Sequence, residues 1–222
     1  LDVTVKTYRL VIFDWDGTLM NSEARIVASI QAAAERCGLP VLSAHESKQI
    51  IGLSLDKAIQ GLYPGATEEQ VQAMAQSYTQ SFLHECEVAM ESFEGAEAML
   101  FSLKNMGVKL AIATGKSRRG LDEVLKECGF GPYFDITRTP VESASKPDPL
   151  MLQQILNELE IELEHALMVG DTTFDMEMAH NINMDRVALT HGVHESEALQ
   201  AFNPLATFEN LHQLHAWLVQ RV

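Results

Sequence analysis

The chain has 222 residues and 46% of them are hydrophobic, which suits one α/β domain with a sizeable core and a smaller insertion, and excludes a disordered chain. Sixteen Lys and Arg stand against 31 Asp and Glu, a net charge of −15, and a surface of that sign repels phosphate backbones, so nucleic acid is excluded as the expected partner. The longest apolar runs, such as residues 166–169, are far too short to span a bilayer, and no basic stretch leads into an apolar one, so neither membrane attachment nor a signal peptide is expected.

In chain order, Arg9-Leu-Val-Ile-Phe13 is a short apolar run that reads as a buried parallel strand ending at Asp14. From Ser22 to Glu87 the pattern turns helical. The spacing predicts a helix from Ser22 to Arg36, closed by Gly38-Leu-Pro40, then helices near 44–51, 55–62 and 67–86, the last opened by Thr67 in a capping-box pattern. Afterwards strand and helix alternate: strands at 108–113, 166–170 and 186–189, and helices at 118–128, from Asp148 onward, at 173–181 and over 210–220. Alternation of this kind implies a parallel sheet covered on both faces, with the helical block inserted after the first strand. Cys37, Cys86 and Cys128 are scattered and odd in number, so they suggest neither a disulfide framework nor a zinc pair, and they point to a reducing cytoplasm. Met74, Met90, Met99 and Met106 read as core filler.

Ligands of open parallel sheets bind at the carboxyl ends of the strands. Polar residues suited to phosphoryl transfer gather at or near such places: Asp14-Trp-Asp-Gly-Thr18, Thr114-Gly-Lys-Ser117, Ser145-Lys-Pro147 and Gly170-Asp-Thr-Thr-Phe-Asp175. Each has a plain structural reading when taken alone. Asp-x-Asp is commonly a solvated turn, Thr114-Gly-Lys-Ser117 a helix N-cap, Lys146 a surface lysine, and Asp171 with Asp175 a helix start. The functional reading is that Asp14 and Asp16 need a compensating cation, with Asp171 as the third carboxylate; hard oxygen ligands of this type suit Mg²⁺. Two motif assignments fail. A nucleotide-triphosphate loop needs Gly five residues before Gly115, where Leu110 stands, and an EF-hand from Asp14 needs Gly at its sixth position, where Leu19 stands.

Together, Asp14-Trp-Asp-Gly-Thr-Leu19, Thr114, Lys146-Pro147 and Gly170-Asp171…Asp175, in this order around one helical insert, resemble the haloacid dehalogenase superfamily. The closest likeness is to its helical-cap branch, in phosphoglycolate phosphatase-like members. The resemblance implies a Rossmann-like, three-layer α/β core at 1–20 and 88–222, with an α-helical cap at 21–87 joined through linkers near Met20–Asn21 and 88–92. It implies a Mg²⁺-dependent phosphatase acting on a small phosphorylated metabolite. Asp14 is then the nucleophile and Asp16 the general acid and base. Asp14, Asp171 and the Asp16 backbone carbonyl are the metal ligands. Thr114, Gly115 and Lys146 hold the phosphoryl group, and Asp175, beside Gly170, orients Lys146 or metal-bound water.

Within the superfamily, dehalogenases lack the second Asp that Asp16 supplies. Phosphonatases use a cap lysine, for which Lys48 and Lys57 are candidates without further support. Hexose-phosphate mutases carry Arg after a cap Gly-x-Ser, whereas Gly52-Leu-Ser54 is followed here by Leu55. A phospho-acceptor signalling module is the reading from a different class; it lacks both the acid–base Asp and the cap. Specificity candidates are Gly52, Leu53, Ser54 and Lys57 in the cap loop, with Arg25 and Lys116 near the seam. Lys57 and Arg25 are candidates to pair with a substrate carboxylate or hydroxyl, the other reading of each being a solvated surface residue. His191 with His194 and His212 with His215 are each spaced by three; the second pair falls on the amphipathic stretch 210–220 and reads as a helix surface, and no histidine metal site is expected.

Overall fold

A computed structural model describes residues 6–222; the first five residues of the expected core segment lie outside that range. Four apolar residues make β1 (Leu10–Phe13), and all four are buried because the strand lies at the centre of a sheet. The sheet has six strands, all parallel, in the order β5 (Ile136–Arg138), β4 (Lys109–Ala113), β1, β6 (Ala166–Gly170), β7 (Asp185–Leu189) and β8 (Thr207–Phe208). Period-two alternation sends the two sides of each strand into different cores. Val11, Phe13, Leu110, Ile112, Leu167 and Val169 pack on one face, while Leu10, Ile12, Ala111, Ala113, Ala166 and Met168 pack on the other. Because both faces are covered, the strands read as continuous apolar runs rather than alternating ones.

The chain leaves β1 through a tight turn and forms β2 (Met20–Asn21), which pairs antiparallel with β3 (Glu91–Ser92). Between these two short strands the α-helices are α1 (Glu23–Arg36), α2 (Ala44–Lys48), α3 (Leu55–Leu62) and α4 (Glu68–Gln80), the last running into a π-helical turn, Ser81–Glu85. Among the described residues no strand of the six-stranded sheet falls in this insertion. In α1 the buried residues Ile26, Val27, Ile30, Ala33 and Ala34 recur at helical spacing, so one stripe faces inward. Thr67 and Gln70 close the capping box of α4. After β3 come α5 (Ala96–Asn105), α6 (Arg118–Cys128), α7 (Leu150–Leu159), α8 (Thr173–His180), α9 (Ser196–Gln200) and α10 (Leu211–Leu218).

Several boundaries differ from the sequence reading. The helix expected over 44–51 stops at Lys48, and that expected over 67–86 is α-helical only to Gln80. The strands β5 and β8 are three and two residues long, too short for a periodic signal. Met74 and Met99 are core residues, but Met106 is 47% exposed, so it does not fill the core: it is the C-cap of α5 rather than part of its inward face.

Candidate active site

The carboxyl ends of β1, β4 and β6 converge. Asp14 follows β1, and its N–H donates to the Val169 carbonyl of β6 at 2.9 Å. Asp171 follows β6, and Asp175 lies in the first turn of α8. One carboxylate oxygen from each of Asp14, Asp171 and Asp175 lies within 4.8 Å of the others, and all three residues are buried. Lys146, also buried, places Nζ 2.7 Å from Asp14 Oδ1 and 2.6 Å from Asp175 Oδ1.

One ammonium does not balance three carboxylates. Burial first, and the Asp175 charge next, push Asp14 up to about 7 against the pull of Lys146. Asp171 is raised well above the ordinary carboxylate range by burial and by Asp14 and Asp175. It is raised despite accepting the Thr18 hydroxyl at 2.7 Å and the Val193 N–H at 2.8 Å. Burial acts against the charge on Lys146, but Asp14 and Asp175 together raise its pKa. Asp14 Oδ2 is buried without a hydrogen-bond donor, and Oδ1 meets Lys146 as an ion pair outside hydrogen-bond geometry. Unsatisfied, hard, buried oxygens beside a second carboxylate are the donor set of a divalent cation. No histidine belongs to such a group among the described residues.

The Asp16 carboxylate turns away from this cluster. Oδ1 accepts the Ser22 hydroxyl at 2.7 Å and Oδ2 pairs with Lys116 Nζ at 3.1 Å. Ser22 stands at the N-cap of α1 yet makes no side-chain cap bond; its hydroxyl serves Asp16 instead. Between the acids, Gly17 has φ +84°, and a Cβ there would fall 2.2 Å from Asp171 Oδ2. Only glycine supplies both the backbone turn and the clearance. Thr114 follows β4 and accepts the Lys116 N–H at 3.2 Å on Oγ1, so its hydroxyl hydrogen is not committed by that bond. Asp175 divides its work, with Oδ2 taking the Thr172 N–H and hydroxyl at the start of α8 while Oδ1 holds Lys146. The helix-start and functional readings of this residue therefore describe different oxygens.

The insertion loop lies directly on this site. A Cβ on Gly115 would stand 2.3 Å from the Gly52 carbonyl oxygen and 2.4 Å from that of Leu53. The Ser54 N–H donates to Ser145 Oγ at 2.9 Å. His194 Nδ1 accepts the Thr173 N–H at 3.0 Å, and Nε2 lies 3.3 Å from the Gln49 carbonyl. Burial lowers the His194 pKa, which keeps the ring neutral and fits Nε2 as the donor. Gly52, Leu53 and Lys116 line a cavity of about 80 Å³ between insertion and core. The Lys116 Nζ also sits 4.3 Å from the centre of the Phe82 ring.

Arg25 and Lys57 do not reach this cavity. Arg25 donates to the Phe82 carbonyl through Nε and Nη2, at 3.0 and 2.8 Å, and Lys57 is exposed on α3, whose Leu55, Ala58, Ile59 and Leu62 line the cavity. Sequence reasoning gave no individual role to Ser22, Ser145, Thr172 or Phe82, and weighed His194 only as a metal ligand that it did not adopt. Ser22 and Thr172 were legible as helix starts, but partners 91 and 145 residues away, as for Ser145–Ser54 and His194–Gln49, leave no local signal.

Known proteins bear on this arrangement. The family model described as haloacid dehalogenase-like hydrolase matches residues 11–189. A Dickeya dadantii protein named "Probable phosphatase IndB" is 32% identical over 88% of this chain and 86% of its own. Phosphoglycolate phosphatase 1 of Pseudomonas aeruginosa is 29% identical over 93% of this chain and 78% of its own. The crystal structure of a hydrolase from Pseudomonas syringae has the same fold, with a TM-score of 0.85 at 24% identity over 97% of this chain and 99% of that one. With the match running from β1 to β7 and relatives named as phosphatases on either side of 30% identity, the chain belongs to the haloacid dehalogenase-like hydrolases, as a phosphatase.

Proposed function

We propose that the protein hydrolyses a small phosphomonoester through an aspartyl-phosphate on Asp14, with Mg²⁺ as the cation, held by Asp14, Asp171 and the Asp16 carbonyl. The observation that carries this reading is the buried Asp14 carboxylate, whose Oδ2 lacks any donor. A carboxylate pushed up to about 7 is half-protonated near neutrality and a poor nucleophile until positive charge restores its ionisation. A bound Mg²⁺ supplies that charge and offsets the developing charge of the phosphoryl oxygens.

The side chains then divide the chemistry. An Asp14 oxygen bonds to phosphorus as the P–O bond to the leaving group breaks, and Asp16 gives its proton to the departing alkoxide. In the second half, water attacks phosphorus, the P–O bond to Asp14 breaks, and Asp16 takes the water's proton. Acid–base help of this kind is worth about 10²–10⁴-fold. Lys146, the Thr114 hydroxyl and the N–H groups after Asp14 and Thr114, that of Gly115 included, receive the equatorial oxygens. Asp175 aims Lys146 through their 2.6 Å contact. Segment 21–87 acts as a cap that excludes water from the first half and admits it in the second. Three free cysteines suit a reducing compartment, and we place the enzyme in the cytoplasm.

The deciding experiment combines metal dependence with trapping. Phosphatase activity should vanish in chelator and return with Mg²⁺, and acid-quenched turnover should leave phosphate on Asp14. Full activity in metal-free buffer, or label on another residue, would falsify this mechanism.

A further inference from the structure

The loop from Gln49 to Ser54 joins α2 to α3. It rests on the core segments that carry the phosphoryl-binding groups. Gly52 and Leu53 present their carbonyls to Gly115, the residue after Thr114. A Cβ on Gly52 would stand 3.2 Å from Thr172 Oγ1, so the loop also lies against the start of α8. Near each end of the loop one core side chain takes hold of it: Ser145 at Ser54 and His194 at Gln49.

The hydrogen bonds of both side chains have a fixed direction. Ser145 is buried; its Oγ accepts the Ser54 N–H at 2.9 Å and donates to the Lys146 carbonyl at 3.2 Å. His194 Nδ1 accepts the Thr173 N–H at 3.0 Å, so the ring hydrogen sits on Nε2, which donates to the Gln49 carbonyl at 3.3 Å. The loop contributes only backbone atoms to these two contacts, so its path is held whatever side chains it carries. Ser54 is the N-cap of α3, where the residue's own N–H has no intrahelical acceptor. Ser145 is the partner of that N–H among the described residues.

These contacts do not hold the reacting groups themselves. Lys146 is held by Asp14 and Asp175, and α8 keeps the capping box of Thr172 and Asp175. Loss of the Ser145 hydroxyl or the His194 ring would therefore release the loop and leave the acids and the lysine in place.

We infer that Ser145 and His194 are positioning residues of the phosphatase reaction, which hold the 49–54 loop against Gly115 while Asp14 attacks the substrate. This rests on the mechanism proposed above and adds to it. The held loop serves the first half, from which water is excluded, and not the second, in which water must enter.

The test uses Ser145→Ala and His194→Ala in the full chain, with Mg²⁺ and ³²P-labelled p-nitrophenyl phosphate well below KM. Under these conditions the level of phosphoenzyme is the ratio of its formation to its decay. Each variant should lose about 10-fold or more in kcat/KM, within the roughly 10²-fold that a misplacement of about 1 Å can cost. Acid-quenched label on Asp14 should fall by the same factor, because only formation is slowed. A general loosening of the site would slow both halves and lower turnover with the label unchanged. That result, or parent kinetics in either variant, would overturn the inference and leave the phosphatase intact. Absence of label from Asp14 in the parent would overturn the mechanism beneath it as well. A measurement on the parent needs no variant: the Ser54 amide should exchange with solvent about 10-fold or more slowly than a free amide. Exchange at the free rate would contradict the Ser145 contact.

Discussion

Lys146 and Asp175 meet at 2.6 Å with both side chains fully buried, and the same ammonium lies 2.7 Å from Asp14. Among the described residues, Lys146 is the sole cation paired with these buried carboxylates. Lys146→Met removes it without removing their desolvation. Loss of one partner from a buried ion pair costs about 3–5 kcal/mol, and that is the loss expected by denaturant titration at pH 8 in chelator. Mg²⁺ should restore part of it. A Lys146→Met protein as stable as the parent in chelator would show that the acids are not ionised together.

Stability should also depend on pH in a definite direction. Asp14 is raised to about 7 and Asp171 is raised as well, so the folded state holds protons that the unfolded chain releases near pH 4. Their stabilising effect is complete below the unfolded value and is lost as pH rises through the folded one. In chelator, the contribution of these two acids should therefore fall between about pH 4 and pH 7 and beyond. With saturating Mg²⁺ that slope should flatten, because the cation favours the ionised forms. Melting temperature against pH, with and without Mg²⁺, measures this.

The two acids of the first motif should fail differently. In the proposed mechanism Asp14→Asn replaces the attacking carboxylate with an amide, and it should abolish turnover while the fold persists. Asp16→Asn keeps a hydrogen-bonding group beside Ser22 and loses both proton transfers, so a fall of about 10²–10⁴-fold is expected, with phosphoenzyme accumulating if the second half slows more. Rapid quench after mixing with ³²P-labelled substrate distinguishes them.

Gly115→Ala tests the contact between insertion and core. The added methyl would stand 2.3 Å from the Gly52 carbonyl oxygen, so the loop must retreat. A shift of about 1 Å in a positioned group can cost about 10²-fold, and kcat/KM should fall on that order with little change in melting temperature. Unaltered kinetics would mean that this closed contact is not part of the reaction.

Much of this was legible before any coordinates. The runs ending at Phe13, Ala113 and Gly170 are buried on both faces of a sheet, and burial of that kind leaves an uninterrupted apolar signature. The turn glycines and the polar residues after each run stand at strand ends, so Asp14, Thr114 and Asp171 could be placed without knowing the sheet order. What escaped depends on distance through space. Ser22 looks like a helix cap because its neighbours are helical, yet its hydroxyl goes to Asp16. Arg25 and Lys57 carry the charge a carboxylate would want, but the first is spent on the Phe82 carbonyl and the second faces solvent. Composition announces a charge; it does not say which way a helix presents it.

The ribbon formed by Met20–Asn21 and Glu91–Ser92 sets where the helical insertion is attached. Cα atoms paired across an antiparallel ribbon are about 4.5–5.5 Å apart, so the polypeptide departs from the sheet and returns to it at nearly one point. A two-residue hairpin turn closes a gap of that size. Everything between can thus be exchanged for another segment without re-threading a single strand. A scaffold attached in this way allows the insertion to diversify independently of the sheet that carries Asp14 and Asp171.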